Sequence, residues 1–344
     1  MKKWNVLAMA VVATAGLTGI AGRAQAQNIT AAGATFPDPI YERWFQSYKK
    51  AHPSIQINYQ PIGSGGGIKQ LTEGTVDFGA SDMPMKDTQI AAVKIKPLHF
   101  PTVLGGVVIT YNLPGVSQDL KFSPELIADI FLGKITNWND ARIAKENPGV
   151  KLPKLDILVV HRSDGSGTTF VFSDYLSKVS PEWKSKVGSD TSLKWPTGTG
   201  QAQNAGVAGM VKQSEGAIGY VELIYALQNH MAYGLVKNSA GTYLKADLNS
   251  VTDAAAGAAK EMPADFRVSI TNAPGKNAYP ISTFTWLLIP STIGDSGKKA
   301  AITGFLKWML VDGQKDVKDH PELGYAPLPK SVVDKELKQL ALIH

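Results

Sequence analysis

The run Arg162-Ser163-Asp164-Gly165-Ser166-Gly167-Thr168-Thr169 carries the densest chemistry in the chain. An apolar, strand-like stretch, Ile157-Leu158-Val159-Val160, precedes it, and a helix-like stretch from Phe170 to Leu176 follows. Glycines at a strand-to-helix turn let backbone N–H groups converge on one point. The helix N-terminus adds partial positive charge there, and serine and threonine hydroxyls add donors. Arg162 brings a full charge and a planar fork suited to a tetrahedral oxyanion. The segment reads as half of a buried anion site. Arg162 beside Asp164 also fits a purely structural ion pair.

Three further segments have similar chemistry. Gly33-Ala34-Thr35-Phe36-Pro37 leads into a helix, which puts the N–H of Phe36 and the hydroxyl of Thr35 near its start. Gly63-Ser64-Gly65-Gly66-Gly67 opens another helix at Ile68-Lys69-Gln70-Leu71. Gly79-Ala80-Ser81-Asp82-Met83-Pro84 is a strand end with a carboxylate. Each alone is also what an ordinary turn looks like, and Asp82 alone suits a cap or turn. The ordinary explanation must hold for all of them at once.

Other chemistries find little support. No G-x-x-x-x-G-K-[ST] run occurs, so a P-loop is excluded, and Gly63–Gly67 lacks the spacing of a dinucleotide fingerprint. Ser166 is not a nucleophile elbow, because Asp164 stands where the first glycine should be. The histidines, His52, His99, His161, His230, His320 and His344, are scattered without paired-ligand spacing, so no metal or other cofactor is expected. Trp138, Trp183, Trp195, Trp286 and Trp308 read as core or surface-packing aromatics.

The elements that must hold these segments alternate between strand and helix, which makes the fold class α/β. Ile55–Tyr59, Val76–Ala80, Gly106–Tyr111, Ile157–Val160 and Phe284–Ile289 read as strands. Ile40, Trp44, Phe45 and Tyr48 share one helical face, and Ile302, Phe305, Leu306, Met309 and Leu310 follow the same helical period. Ser123-Pro124-Glu125 has the chemistry of a helix start, with Gly133 as its end. The polar, alanine-rich stretch 241–274 reads as peripheral helix and loop.

The ends and the composition bound the setting. Lys2 and Lys3, the apolar run Val6–Ile20 and Ala24-Gln25-Ala26 compose a secretory signal, residues 1–26, with the mature chain starting at Gln27. The chain has no cysteine, which excludes disulfides, thiolate metal sites and lipidation on cysteine, and with export suggests a bacterial periplasm. Removing Lys2, Lys3 and Arg23 leaves 32 basic against 29 acidic residues, a net charge of +3. That mild excess suits anionic ligands and does not suggest nucleic acid. The length favours two lobes of about 100–200 residues each.

Taken together, Ala32-Gly33-Ala34-Thr35-Phe36-Pro37, Gly63–Gly67, Asp77–Asp82 and Arg162–Thr168 resemble the four phosphate-contacting motifs of the periplasmic phosphate-binding proteins of phosphate-specific ABC transport systems. Phe100-Pro101-Thr102-Val103, Leu132-Gly133-Lys134-Ile135, Asn137-Trp138, Lys194-Trp195-Pro196 and Gly216–Glu222 extend the likeness over the whole mature chain. The resemblance implies a two-lobed type II binding-protein fold, each lobe a mixed sheet flanked by helices, joined by two hinge crossings. Lobe one would be residues 27–103 and 281–344, and lobe two residues 104–280. Carried over motif by motif, the implied ligands are Thr35, Phe36, Ser64 and Asp82 from lobe one, with Arg162, Ser166, Gly167 and Thr168 from lobe two. Asp164 would hold the Arg162 fork. The family often has a second serine where Gly65 stands here.

The implied function is capture of inorganic phosphate and its delivery, by a periplasmic monomer that is not an enzyme, to a membrane permease driven by an ATPase. Phosphate near neutral pH carries at least one proton and sulfate none. Ionised Asp82, an acceptor among donors, would therefore accept from phosphate and reject sulfate by about a thousandfold. Two alternatives stay open: a secreted phosphatase built on the same site, and a binding protein for another tetrahedral oxyanion.

Overall fold

Pro97–Tyr111 is fifteen residues without one charged side chain, and in the computed structural model, which describes residues 26–344, it forms a single long strand. The strands are β1 (Gln27–Gly33), β2 (Ile55–Pro61), β3 (Phe78–Ser81), β4 (Pro97–Tyr111), β5 (Lys121–Phe122), β6 (Leu158–Arg162), β7 (Thr199–Gln201), β8 (Ala217–Glu222), β9 (Ala232–Tyr233), β10 (Leu235–Lys237), β11 (Tyr243–Leu244) and β12 (Ser282–Pro290). The expected signal segment and its cleavage site lie essentially outside the described residues.

β4 belongs to both halves of the main sheet. Its first part pairs antiparallel with β12, from Pro97↔Pro290 to Gly106↔Ser282. Its last part pairs antiparallel with β8, from Val107↔Glu222 to Tyr111↔Ile218. The full order is β2-β1-β3-β12-β4-β8-β6-β7, with β9 also on β4 and a separate small sheet β11-β10-β5. Sequence reading expects only the Gly106–Tyr111 part of β4, because two prolines and a glycine pair interrupt the pattern before it. A bulge resolves this. Trp286 pairs with Pro101 and Thr285 with Val103, so Thr102 is the extra residue next to the proline that cannot donate. The bulge carbonyl is not left unpaired, since Gln314 Nε2 donates to Thr102 O at 2.8 Å.

β1, β2 and β3 run parallel, and so do β8, β6 and β7. Parallel strands deliver their carboxyl ends to one edge, where ligand sites of open α/β sheets form. All four anion-like segments of the sequence leave such ends. Thr35 follows β1, Ser64 follows β2, Asp82 follows β3, and Arg162 ends β6.

Aromatic clusters fix each half. The helix Asp38–Ala51 buries Ile40, Tyr41, Trp44, Phe45 and Tyr48, the face its sequence spacing predicts. Trp44 is fully buried, and truncation to alanine is expected to cost about 3–5 kcal/mol. In the other half Tyr220 stacks on Phe172 with centroids 4.4 Å apart, and Phe131 meets Phe172 edge-on. The Ser123 cap is present, its Oγ accepting from Leu126 N at 3.2 Å. One expectation is corrected. The 241–274 stretch is not peripheral throughout, because the helix Leu248–Lys260 buries Val251 and Ala255 completely, and Phe266 O accepts from Trp286 Nε1. Small alanines give a weak hydrophobic signal, yet they let the helix lie close to the β4–β12 ladder.

Candidate functional site

The eight residues named from the sequence come together in one buried place. Thr35, Ser64, Asp82, Arg162, Ser166 and Thr168 are each 3 % exposed or less, and Phe36 and Gly167 are buried as well. Asn204 Nδ2 donates to Thr35 Oγ1 at 3.0 Å and to Thr168 Oγ1 at 3.1 Å, which joins the two sides. A Cβ on Gly167 would run into Ser64 Oγ and Asp82, so only glycine lets the two halves approach there.

Local chemistry sets each donor. The helix Gly167–Val179 starts with Ser166 as its cap, whose Oγ accepts from Thr169 N at 3.0 Å. A helix start leaves its first N–H groups without intrahelical acceptors, so those of Gly167 and Thr168 stay available. The helix Ser64–Glu73 does the same on the facing half, with Gly63 at φ +88° ahead of it. Ser64 Oγ accepts from Asp82 N at 3.1 Å and turns its own hydrogen toward Asp82 Oδ2, 3.5 Å away.

Arg162 is held by Asp164 through two parallel bonds, Nε to Oδ1 at 2.7 Å and Nη2 to Oδ2 at 2.5 Å. Its Nη1 is left facing the site, 3.5 Å from Thr168 Oγ1. Burial pushes the Asp164 carboxyl up, but the Arg162 bonds and charge, with the N–H of Gln203, outweigh it and hold the group below its ordinary value. The ion pair is therefore real, and it still presents one guanidinium end.

Asp82 is the carboxylate of the site. Its Oδ1 accepts from Thr285 Oγ1 at 2.7 Å, and Oδ2 lies 3.5 Å from Ser64 Oγ. Burial pushes its pKa up to about 7, against the opposing pull of the Thr285 hydroxyl, the Arg162 charge and Ser64. Sequence reasoning missed Thr285, Asn204 and Tyr220. Tyr220 OH accepts from Arg162 N at 3.1 Å and bonds Thr169 Oγ1. Thr285 is one of three hydroxyl residues in β12, with Ser282 and Thr283, and nothing local sets it apart from them. Gly65, where a second serine was the family expectation, donates its N–H to Gly165 O across the cleft at 2.8 Å.

The arrangement can enclose a small oxyanion among N–H, O–H and guanidinium donors, with one acceptor. Neither Ser64 nor Ser166 hydrogen-bonds a histidine among the described residues. No cluster of three or more potential metal-ligating side chains forms among them either. An open groove of about 500 Å³ beside Asp87, Leu98 and Arg267 is remote from this chemistry, and its arginine is already paired with Asp87 and Asp265.

A family model described as "PBP superfamily domain" matches residues 19–312. Phosphate-binding protein PstS of Xylella fastidiosa (strain Temecula1) is 46 % identical over 306 residues, 89 % of this chain and 82 % of that one. The protein of the same name from Pasteurella multocida is 45 % identical over 312 residues, 90 % of this chain and 89 % of that one. Among solved structures, a high-affinity periplasmic phosphate-binding protein (PfluDING) bound with phosphate superposes with a TM-score of 0.72 at 20 % identity, covering 90 % of this chain and 93 % of that one. The likeness gives the fold its class, a two-lobed α/β binding protein, and the identities place the family: this chain belongs to the PBP superfamily and, within it, to the PstS phosphate-binding proteins.

Proposed function

We propose that this chain captures inorganic phosphate between its two lobes and delivers it to an ABC importer. The observation that carries this reading is Asp82, one buried acceptor among donors drawn from both halves of the sheet. Thr35, Phe36, Ser64, Arg162, Ser166, Gly167 and Thr168 donate to the ion, Asp82 accepts its proton, and Asp164 holds Arg162 in place. A proton shared between Asp82 and the ligand suits phosphate and leaves sulfate facing a carboxylate it cannot satisfy.

The lobes are residues 27–103 with 281–344, and 104–280. The change of partner along β4, between Gly106 and Val107, supports a hinge next to that boundary. The contacts from Gly65 to Gly165 and from Gln203 Nε2 to Pro61 O describe the closed arrangement. The partners are a membrane permease and its ATPase, the protein acts as a monomer, and the place is the periplasm, reached with the signal at residues 1–26. The names of its relatives support binding rather than catalysis.

Calorimetry with phosphate, arsenate and sulfate on the chain starting at Gln27 tests the reading. Tight phosphate binding with sulfate at least a thousandfold weaker is expected at pH 8. Equal binding of the two would refute it.

A further inference from the structure

Resting on the phosphate-capture reading, we propose that Asn204 is a positioning residue: it aims the hydroxyls of Thr35 and Thr168 at the bound ion and latches the lobes when they close. Asn204 lies at the start of the helix Gln203–Gln213 and is fully buried. Its amide orientation follows from its third partner. The N–H of Glu222, which can only donate, sits 3.2 Å from Oδ1. The oxygen therefore faces Glu222, and Nδ2 must face the threonines, 3.0 Å from Thr35 Oγ1 and 3.1 Å from Thr168 Oγ1.

A hydroxyl has one hydrogen and two lone pairs. Because Asn204 fills a lone pair on each threonine, each hydroxyl hydrogen is left to point elsewhere, and the bound ion is the acceptor within reach. Thr168 Oγ1 also has Arg162 Nη1 at 3.5 Å, a second donor that turns its hydrogen outward the same way. Asn204 thus acts on the ion through two other side chains. The latch follows from topology. Thr35 leaves β1 and Asn204 follows β7, so their bond spans the two halves and forms only with the lobes together. Gln203, at φ +63°, turns the chain so that its own N–H reaches Asp164 Oδ1 while Asn204 enters the site.

A double-mutant cycle on the chain from Gln27, read by stopped-flow and calorimetry with inorganic phosphate, tests this. Asn204→Ala is expected to speed phosphate dissociation by about thirtyfold, two hydrogen bonds' worth, with association changed by less than about threefold. In a Thr35→Val, Thr168→Val background the same substitution should change dissociation by less than about threefold, because the groups it acts through are gone. Asn204→Leu, close in volume, uncharged and unable to donate, gives the same cycle if the alanine variant does not fold. An undiminished effect in the valine background, or a loss lying wholly in association, would overturn the inference. A wild-type chain that does not bind phosphate would instead overturn the functional reading beneath it.

Discussion

Asp82→Asn is the sharpest perturbation of the proposed selectivity. In the closed site Thr285 Oγ1 donates to Oδ1, so the amide oxygen of the variant stays there and the amide nitrogen takes the place of Oδ2, next to Gly167. The single acceptor becomes a donor with little change in shape. In the wild type, sulfate binds only if Asp82 first takes up a proton. Burial raises the carboxyl's pKa to about 7, so at pH 8 it is mostly ionised and that proton costs about 1.4 kcal/mol. Sulfate affinity of the wild type should therefore be level below about pH 7 and fall toward tenfold for each pH unit above it. In Asp82→Asn that slope should vanish, and sulfate should bind about tenfold or more tighter than to the wild type at pH 8. Phosphate should lose about 1.5–3 kcal/mol, one charged hydrogen bond. Calorimetry with both anions from pH 5.5 to 8.5 reads all three quantities. A wild type whose sulfate affinity ignores pH, or a variant that rejects sulfate as the wild type does, would refute the reasoning.

Arg162→Ala should weaken phosphate binding by about ten- to a hundredfold with the fold retained in circular dichroism, since it removes a charged donor. Asp164→Asn should cost less, because it acts by orienting Arg162, and equal negligible effects from both would reduce the pair to packing. The purified chain should not turn over a chromogenic phosphate ester, with or without divalent metal, and sustained turnover lost in Ser64→Ala would restore the phosphatase reading. Glu336 is buried with neither carboxyl oxygen hydrogen-bonded among the described residues, and burial raises its pKa well above the ordinary value. The folded state then holds a proton that the unfolded state gives up, so this group lowers stability as pH rises above about 4.3, by up to about 1.4 kcal/mol per unit. Thermal melts should show Glu336→Gln gaining on the wild type from pH 5 to pH 8, and a constant difference would contradict the assignment.

What could be read from the sequence was what local chemistry encodes. Glycine and hydroxyl residues at helix starts announce themselves through spacing, and those three segments, with the Asp82 strand end, lie at the carboxyl ends of parallel strands. The helical face of Ile40, Trp44 and Tyr48 was legible because its period is strong. Thr285 and Asn204 were not, because their roles exist only through residues 203 and 169 positions away in the chain. β4 was half legible, because the bulge at Thr102 takes its meaning from β12, which comes much later. The Leu248–Lys260 helix was misjudged because alanine is equally at home on a surface and against a closely packed sheet.

Because β4 is a member of both half-sheets, the joint between the lobes is a hydrogen-bonded ribbon rather than a tether. A tether would let each lobe melt alone and tumble freely. A ribbon of β4 and β12 cannot be cut without taking the central strand from one lobe or the other. The protein should accordingly lose its structure in one cooperative step, with or without ligand. Its motion should be that of a torsion spring of small amplitude, returning the lobes along one path. Such a joint makes the distance between the two rims a reproducible signal, which the permease of the proposed importer would read without touching the ion.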